Sequence, residues 1–171
     1  DTPPAWPVVV AGVTSASPSL ARLLRVVSEL PEGAVVLPDL DLTLDDEVWD
    51  ELGLAGQPLE PGGAPFGRGD ATTHPQYHLK LLLHRMGVAR GEVQAWHRSG
   101  PASAPPERAR AISNLFLPPM ASARWVGLPE RHRRLSAVRL MESDHPGEEA
   151  QAIALLIRET LETPEKRVAL V

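Results

Sequence analysis

An apolar stretch that runs into a glycine and then into a helix start constrains the fold of this chain more than any other feature. Residues 7–12 read Pro-Val-Val-Val-Ala-Gly, and a short polar turn leads from them to Ser17 and Pro18. Gly12 permits a tight turn, Ser17 is a favourable N-cap, and Pro18 suits the first helical position because its missing N–H would lack a partner there. The pattern predicts a βα unit whose helix N-terminus faces a phosphate or simply solvent.

The predicted turn lacks the common nucleotide-binding motifs. Neither G-x-x-x-x-G-K-[ST] nor G-x-G-x-x-G occurs in the chain, so no lysine is placed for a β/γ-phosphate. The candidate phosphate contacts are therefore the hydroxyls and backbone amides of Gly12, Thr14, Ser15 and Ser17. Ordinary capping of the helix is the plainer interpretation of the same residues.

Composition favours one domain and restricts its chemistry. The 171 residues are 43% hydrophobic, which fits a single domain that buries about 68–70% of its unfolded surface. A net charge of −5 makes a broad nucleic-acid-binding face unfavourable, so any DNA contact must be local. The chain has no cysteine, so disulfides, cysteine zinc sites and iron–sulfur ligation are excluded, and no cofactor or metal is predicted in these residues. No apolar run approaches a membrane span and no leader is visible, so we expect a cytoplasmic protein without a membrane partner.

Apolar spacing predicts alternating strands and helices along the chain. Residues 8–11 and 33–38 are continuously apolar, as in strands buried on both faces of a parallel sheet, and residues 137–141 and 167–171 predict two further strands. Between them, helical spacing is found in the segments 18–30, 45–52, 74–86, 106–116 and 146–161. We therefore predict an α/β fold with a parallel sheet of about four strands and helices on both faces.

Two segments are predicted to be flexible loops. Residues 53–73 contain six glycines and three prolines, too many for a regular element, and residues 99–106 are rich in proline, serine and alanine. The chain begins just before one predicted strand and ends inside another, whereas domains usually end in exposed polar sequence. We expect residues 1–171 to be a single domain cut from a longer protein.

Three runs together resemble the AddB subunit of AddAB helicase–nucleases, in its alphaproteobacterial form. They are the runs PVVVAGVTSASP at 7–18, LPEGAVVLPDLD at 30–41 and HPQYHLK at 74–80. The similarity continues around Trp96 and Trp125 and covers nearly the whole chain.

The resemblance implies that the chain is an internal piece of the amino-terminal, superfamily-1-helicase-like (P-loop NTPase-like) region of such a subunit. Active motors of this kind usually carry an aspartate and a glutamine in the loop where Val13, Thr14, Ser15 and Ala16 follow Gly12 here, so a non-motor role is implied. ATP and Mg²⁺ would act elsewhere in the parent protein, whose nuclease carboxylates and cluster cysteines would lie downstream. The implied partners are double-stranded DNA ends and an AddA-like motor subunit that supplies translocation.

The concentrated basic run of the sequence is a candidate DNA contact. It consists of Arg131, His132, Arg133 and Arg134, and clustered arginines neutralise backbone phosphates. A solvated helix end, or an ion-pair partner for acidic residues, is the plainer interpretation.

Other polar groups have weaker functional interpretations. His74 and His78 have the spacing of zinc ligands on a helix, but no third ligand accompanies them, so a capping and a surface histidine are expected. Trp96 and Trp125 stack bases in one interpretation and cover loops in the other. The cell-adhesion tripeptide at 68–70 is attributed to chance. An acidic group follows the second strand, where it serves a metal, acid–base chemistry or only a helix N-terminus; its members are Asp39, Asp41, Asp45, Asp46 and Glu47.

Three functions compete at this point. The first is a non-motor scaffold that positions DNA or a partner subunit in a complex that processes double-strand breaks. The second is a small enzyme domain that binds a nucleotide or phosphometabolite at the turn 12–18. The third is a protein-interaction module, which predicts an exposed apolar patch as its dominant surface feature.

Overall fold

The computed structural model describes residues 6–14, 16–96 and 105–171. The chain divides into two compact units, Asp1–Ser136 and Ala137–Val171. The first unit contains β1 (Val8–Ala11), α1 (Pro18–Glu29), β2 (Gly33–Val36), α2 (Asp46–Glu51), α3 (Tyr77–Met86), α4 (Pro106–Leu115) and α5 (Arg124–Gly127), with 3₁₀ turns at Arg90–Glu92 and Glu130–His132. The second unit contains α6 (Pro146–Leu161).

The predicted β–α–β unit at the start of the chain is confirmed. Strands β1 and β2 pair in parallel, with Val8 opposite Gly33. Helix α1 begins at Pro18, and the Ser17 hydroxyl accepts a hydrogen bond from the Leu20 amide at 3.3 Å. A Cβ atom added at Gly33 would lie 1.8 Å from the carbonyl oxygen of Val27. Glycine at position 33 therefore lets the chain pass close to the end of α1 as it enters β2.

The core of the first unit consists of two apolar clusters that share helix α3. The first cluster joins α1 to α3, with Leu24 and Leu82 almost completely buried. The second cluster joins α2 to α3, with Leu52 and Leu83 almost completely buried. Adjacent leucines on α3 thus face different clusters, which leaves this helix apolar on more than one side.

The predicted four-stranded α/β fold is wrong. Within the described residues the sheet has two strands, β1 and β2, and the fold is mostly helical. Residues 137–141 and 167–171 form no strand, and Leu140 and Leu170 are 86% and 71% exposed. An apolar run favours an extended backbone, but a strand also needs a neighbour for its hydrogen-bond ladder, and a single sequence does not show that neighbour.

Helices do not cover both faces of the small sheet. Val10 and Val35 pack on the cluster that contains α1, whereas Val9, which points to the opposite face, is 60% exposed. The described residues therefore lack the layered architecture of a helicase-like P-loop domain, which requires a larger sheet covered on both sides.

The second unit is built around one amphipathic helix. Pro146 occupies the first turn of α6, as predicted, and Glu148 and Glu149 lie where acidic side chains favour a helix N-terminus. No residue of α6 is buried, and Leu155 is 60% exposed. This helix alone does not form a core.

Residues 53–73 consist of turns, without a helix or strand. The segment is closed by hydrogen bonds from the Ala71 amide to the Leu52 carbonyl at 3.0 Å and from the Gly56 amide to the Pro65 carbonyl at 2.8 Å. Its flexibility remains a prediction. Of the other predicted loop, residues 99–104 lie outside the described residues and Pro106 already belongs to α4. None of the helices in the described ranges combines the length and the apolar character needed to cross a bilayer.

Candidate functional site

Helix α4 and the second 3₁₀ turn bring three cationic or titratable side chains together. The Nε2 atom of His132 lies 3.3 Å from Nη1 of Arg110 and 3.3 Å from Nε of Arg131. Because a guanidinium only donates, His132 must accept both contacts with its Nε2 lone pair and is neutral in this geometry. We call Arg110, Arg131 and His132 the His132 cluster.

The electrostatics of the His132 cluster favour an anion. Partial burial, followed by the positive charges of Arg110 and Arg131, lowers the pKa of His132. No salt bridge in residues 6–14, 16–96 and 105–171 involves either of these two arginines. The positive charges of Arg110 and Arg131 lie beside the same imidazole and repel each other. An anion bound next to them would attract both charges.

The remainder of the basic run is arranged differently. Arg134 forms an ion pair with Glu130 at 2.7 Å, four residues earlier. The hydrogen bond from Arg134, followed by its charge, lowers the pKa of Glu130. Arg133 is exposed at the end of the 3₁₀ turn. The structure thus separates Arg131 and His132, which join Arg110, from Arg134, which already has a partner.

A cavity of about 240 Å³ adjoins the His132 cluster. Its polar wall includes Arg110 and His132 from the cluster, Ser113 and Asn114 from α4, and Arg124 from α5. The side-chain amide of Asn114 uses one N–H for the carbonyl of Arg110 at 2.8 Å, which leaves its second N–H available. Besides these groups the wall contains the carboxylate of Asp45, which accepts a hydrogen bond from Arg124 at 3.2 Å.

The acidic group after β2 is held by hydrogen bonds and ion pairs. Arg124 contacts the Asp45 carboxylate at 3.2 Å and the Glu47 carboxylate at 2.5 Å, and Arg90 forms an ion pair with Asp46. The described residues contain no group of three His, Asp or Glu side chains arranged to hold a metal ion. These contacts support the helix-terminus interpretation of the acidic group.

Asp39 and Asp41, the first two members of that group, shape the turn after β2. The side-chain amide of Gln76 donates to the Asp39 carbonyl and its oxygen accepts from the Asp41 amide, both at 2.9 Å. The Asp41 carboxylate accepts from Thr43 at 2.7 Å and also from Ser113 of α4. Asp41 therefore ties the turn to the helix that carries Arg110.

The structure does not bring the candidate phosphate contacts of the turn after β1 together. Gly12 has a left-handed φ of 74°, Thr14 is exposed, and Ser15 lies outside the described residues. The Ser17 hydroxyl is occupied as the cap of α1. A guanidinium from α3, that of Arg85, donates to the Ala16 carbonyl beside this turn. Nucleotide binding here stays a prediction.

The two candidate zinc ligands, His74 before α3 and His78 on it, do not converge. Nδ1 of His74 accepts a hydrogen bond from the Gln76 amide at 3.1 Å, and Nε2 donates to the Phe116 carbonyl. Both ring nitrogens are therefore occupied, while His78 is exposed. Helix α3 begins at Tyr77, later than the predicted start, because the segment before it forms turns around the His74 ring.

The aspartate of the tripeptide at 68–70 is a structural anchor. The Asp70 carboxylate accepts hydrogen bonds from the Leu54 amide at 2.9 Å and the Tyr77 hydroxyl at 2.8 Å. Burial works to raise the pKa of Asp70, but these hydrogen bonds outweigh it and hold the pKa below its usual value. The aspartate of the tripeptide thus makes structural contacts within the fold.

Sequence reasoning missed Arg110 and the buried Lys80. Lys80 is 4% exposed and donates to the Trp49 carbonyl at 2.8 Å, and burial lowers its pKa. Arg110 lies 22 residues before His132, and only packing of α4 against the second 3₁₀ turn joins them. No spacing rule predicts such a contact.

The tryptophans considered for base stacking also occupy different settings. Trp96 is 74% exposed, immediately before residues that the structure does not describe, and Trp125 is half-buried in α5.

Comparison of the chain with protein-family models, with curated proteins and with solved structures gives no match.

Proposed function

We propose that this chain is a non-motor positioning domain of a subunit that processes double-strand DNA ends. The supporting observation is the His132 cluster, in which Arg110 and Arg131 each approach one imidazole nitrogen at 3.3 Å. Such a group gains stability from an anion, and the phosphates of DNA are a dense source of them. The domain would hold DNA and break no bonds.

The proposed contact is small. The chain carries a net charge of −5, so the rest of its surface does not attract DNA, and the His132 cluster must act locally. Contact with roughly two or three phosphates would give a salt dependence with a logarithmic slope of about −2 to −3. Weak, salt-sensitive binding suits a domain that aligns DNA while another subunit moves it.

The resemblance to AddB subunits supports DNA ends as the source of the phosphates. It rests on the runs at 7–18, 30–41 and 74–80. In the proposed complex an AddA-like motor subunit supplies translocation, ATP and Mg²⁺ bind outside this chain, and the assembly works on chromosomal DNA in the cytoplasm.

Exposed apolar side chains support an additional contact with the partner subunit. Leu115, Phe116 and Met120 are 53%, 52% and 84% exposed. They border a second cavity of about 480 Å³ that Pro118 and Pro119 also line. Apolar groups clustered at a surface are typical of protein–protein contacts.

The DNA contact is tested by fluorescence anisotropy with a labelled forked duplex at 50 mM and 200 mM salt, concentrations chosen to span the range where counterion release is strong. The intact domain should bind and lose affinity as salt rises. Arg110→Glu combined with Arg131→Glu should abolish binding. The matched control combines Arg22→Glu with Arg139→Glu, which makes the same charge change at exposed positions outside the cluster.

Three outcomes separate the competing functions. Equal loss in the two double variants would attribute binding to net charge and contradict the proposed site. A change in tryptophan fluorescence with Mg-ATP, but not with DNA, would favour the nucleotide-binding enzyme at the turn 12–18. Undiminished DNA binding by the double variant Arg110→Glu with Arg131→Glu would also refute the proposal.

A further inference from the structure

We infer that the cavity beside the His132 cluster receives a terminal phosphate monoester of a DNA end, an inference that rests on the proposed function and specifies its ligand. The cavity measures about 240 Å³ and is lined by Arg110, Asn114 and His132. The shape of the cavity, its hydrogen-bond donors and the positive charges beside it favour this ligand.

The recess selects an end over the interior of a strand. A phosphodiester inside a strand is joined to sugars on both sides. It can therefore approach an exposed arginine, but it can enter a cavity only together with the nucleotides on either side. A terminal phosphate is joined on one side and can enter alone. Arg131 is exposed, does not line the cavity and remains available for an internal phosphate, whereas Asn114 lies in the cavity wall.

The wall offers donors that match three terminal oxygens. Arg110 has five N–H groups and uses one for His132, and Asn114 retains one N–H beside its bond to the Arg110 carbonyl. Asp45 also lines the cavity, and its carboxylate is paired at 3.2 Å with Arg124, which also pairs with Glu47. A guanidinium with spare donors favours phosphate geometry.

Charge distinguishes the two kinds of phosphate as well. A phosphate monoester carries about −1.5 to −2 charges at pH 7, more than the single charge of a diester. Partial burial and two neighbouring guanidiniums lower the pKa of His132. A bound dianion would oppose these effects and favour protonation of the imidazole, so occupancy of the cavity and protonation of His132 should reinforce each other.

The test compares one duplex in three forms, with 5′-phosphate, 3′-phosphate or hydroxyl ends, at fixed salt and pH. At least one phosphorylated form should bind roughly tenfold more tightly than the hydroxyl form, a difference of about 1.4 kcal/mol, and the stronger of the two identifies which end the site takes. Asn114→Leu and Arg110→Gln should remove the preference. Arg22→Gln, an exposed change on α1, should keep it.

A second readout does not depend on DNA. The imidazole of His132, followed by NMR during a pH titration, should titrate at higher pH in the presence of inorganic phosphate than in chloride. Equal affinity for all three duplexes overturns the inference and leaves the proposed function standing, whereas absence of binding to any duplex overturns both. A phosphate preference that survives in both Asn114→Leu and Arg110→Gln, or an unchanged His132 titration, also refutes it.

Discussion

The hydroxyl of Tyr77 donates a hydrogen bond to Asp70 at 2.8 Å, joining the first residue of α3 to the end of the turn-rich segment 53–73. The same carboxylate accepts from the Leu54 amide at 2.9 Å. One carboxylate therefore holds both ends of a segment of about twenty residues against a buried helix. This connection fixes the turns that lie between α2 and α3.

The tyrosine should titrate far above its ordinary range. Burial, and then the hydrogen bond and charge of Asp70, raise the pKa of Tyr77 to about 12. The chain has one tyrosine, so absorbance at alkaline pH gives a single midpoint without assignment. Asp70→Asn should shift that midpoint towards 10, because the negative charge that opposes ionisation is removed.

The same shift has a consequence for stability. The folded-state pKa of Tyr77 lies above the unfolded value of 10.0. Its contribution is fully present below pH 10 and is lost as the pH rises towards 12, because the unfolded chain releases the proton first. Urea midpoints measured across this window should fall more steeply for the intact protein than for Tyr77→Phe. Parallel curves would contradict the assigned hydrogen bond.

Acidification should destabilise the protein through a half-buried histidine, His84. Burial lowers the pKa of His84, whose Nδ1–H donates to the Ala55 carbonyl at 3.0 Å. A histidine with a depressed folded pKa stabilises the fold above its unfolded pKa of about 6.5, and this contribution is lost as the pH falls below that value. His84→Gln should flatten the decrease in the free energy of unfolding between pH 7.5 and 5.5. An unchanged slope would refute the role of His84.

A methyl group at Gly33 should be poorly tolerated. The added Cβ would lie 1.8 Å from the Val27 carbonyl oxygen, so the entry to β2 would have to move. We expect Gly33→Ala to cost about 1–3 kcal/mol in urea unfolding. The control is Gly91→Ala, where no atom lies within 4 Å of the added Cβ. Similar losses at both positions would show that close packing is not the cause.

The cap of α1 provides a smaller test. Removal of the Ser17 hydroxyl, which accepts from the Leu20 amide at 3.3 Å, should cost about 1 kcal/mol. Ser19→Ala, in the first turn of the same helix and exposed, should be neutral or slightly stabilising because alanine is the better helix former. Loss of nucleotide affinity larger than the loss of stability in Ser17→Ala would indicate that the hydroxyl contacts a ligand instead.

Local signals in the sequence predicted the local structure. Ser17, Pro18 and Pro146 mark helix starts through capping and backbone geometry, which depend on neighbouring residues alone, and these starts are confirmed. The strands predicted at 137–141 and 167–171 depended on partners elsewhere in the chain, and they do not form. An apolar run limits the backbone conformation but does not supply the second strand.

The candidate site shows the same division. Arg131 and His132 were predicted as part of a basic run in which Arg134 had the same weight, and the pairing of Arg134 with Glu130 appears only in the structure. Arg110 was not predicted because the packing of α4 brings it to His132. Charge density along a chain therefore locates a region, while packing decides which charges remain available.

Leu82 and Leu83 are adjacent on α3 but belong to different apolar clusters. This arrangement affects how the first unit opens. Leu82 and Leu83 are each 1% exposed, and displacement of this helix would uncover both clusters at once. The amides of α1 and α2 should then share one free energy of opening in hydrogen exchange. A substitution confined to one side of α3 would weaken protection on both sides, so the unit should behave as one cooperative block.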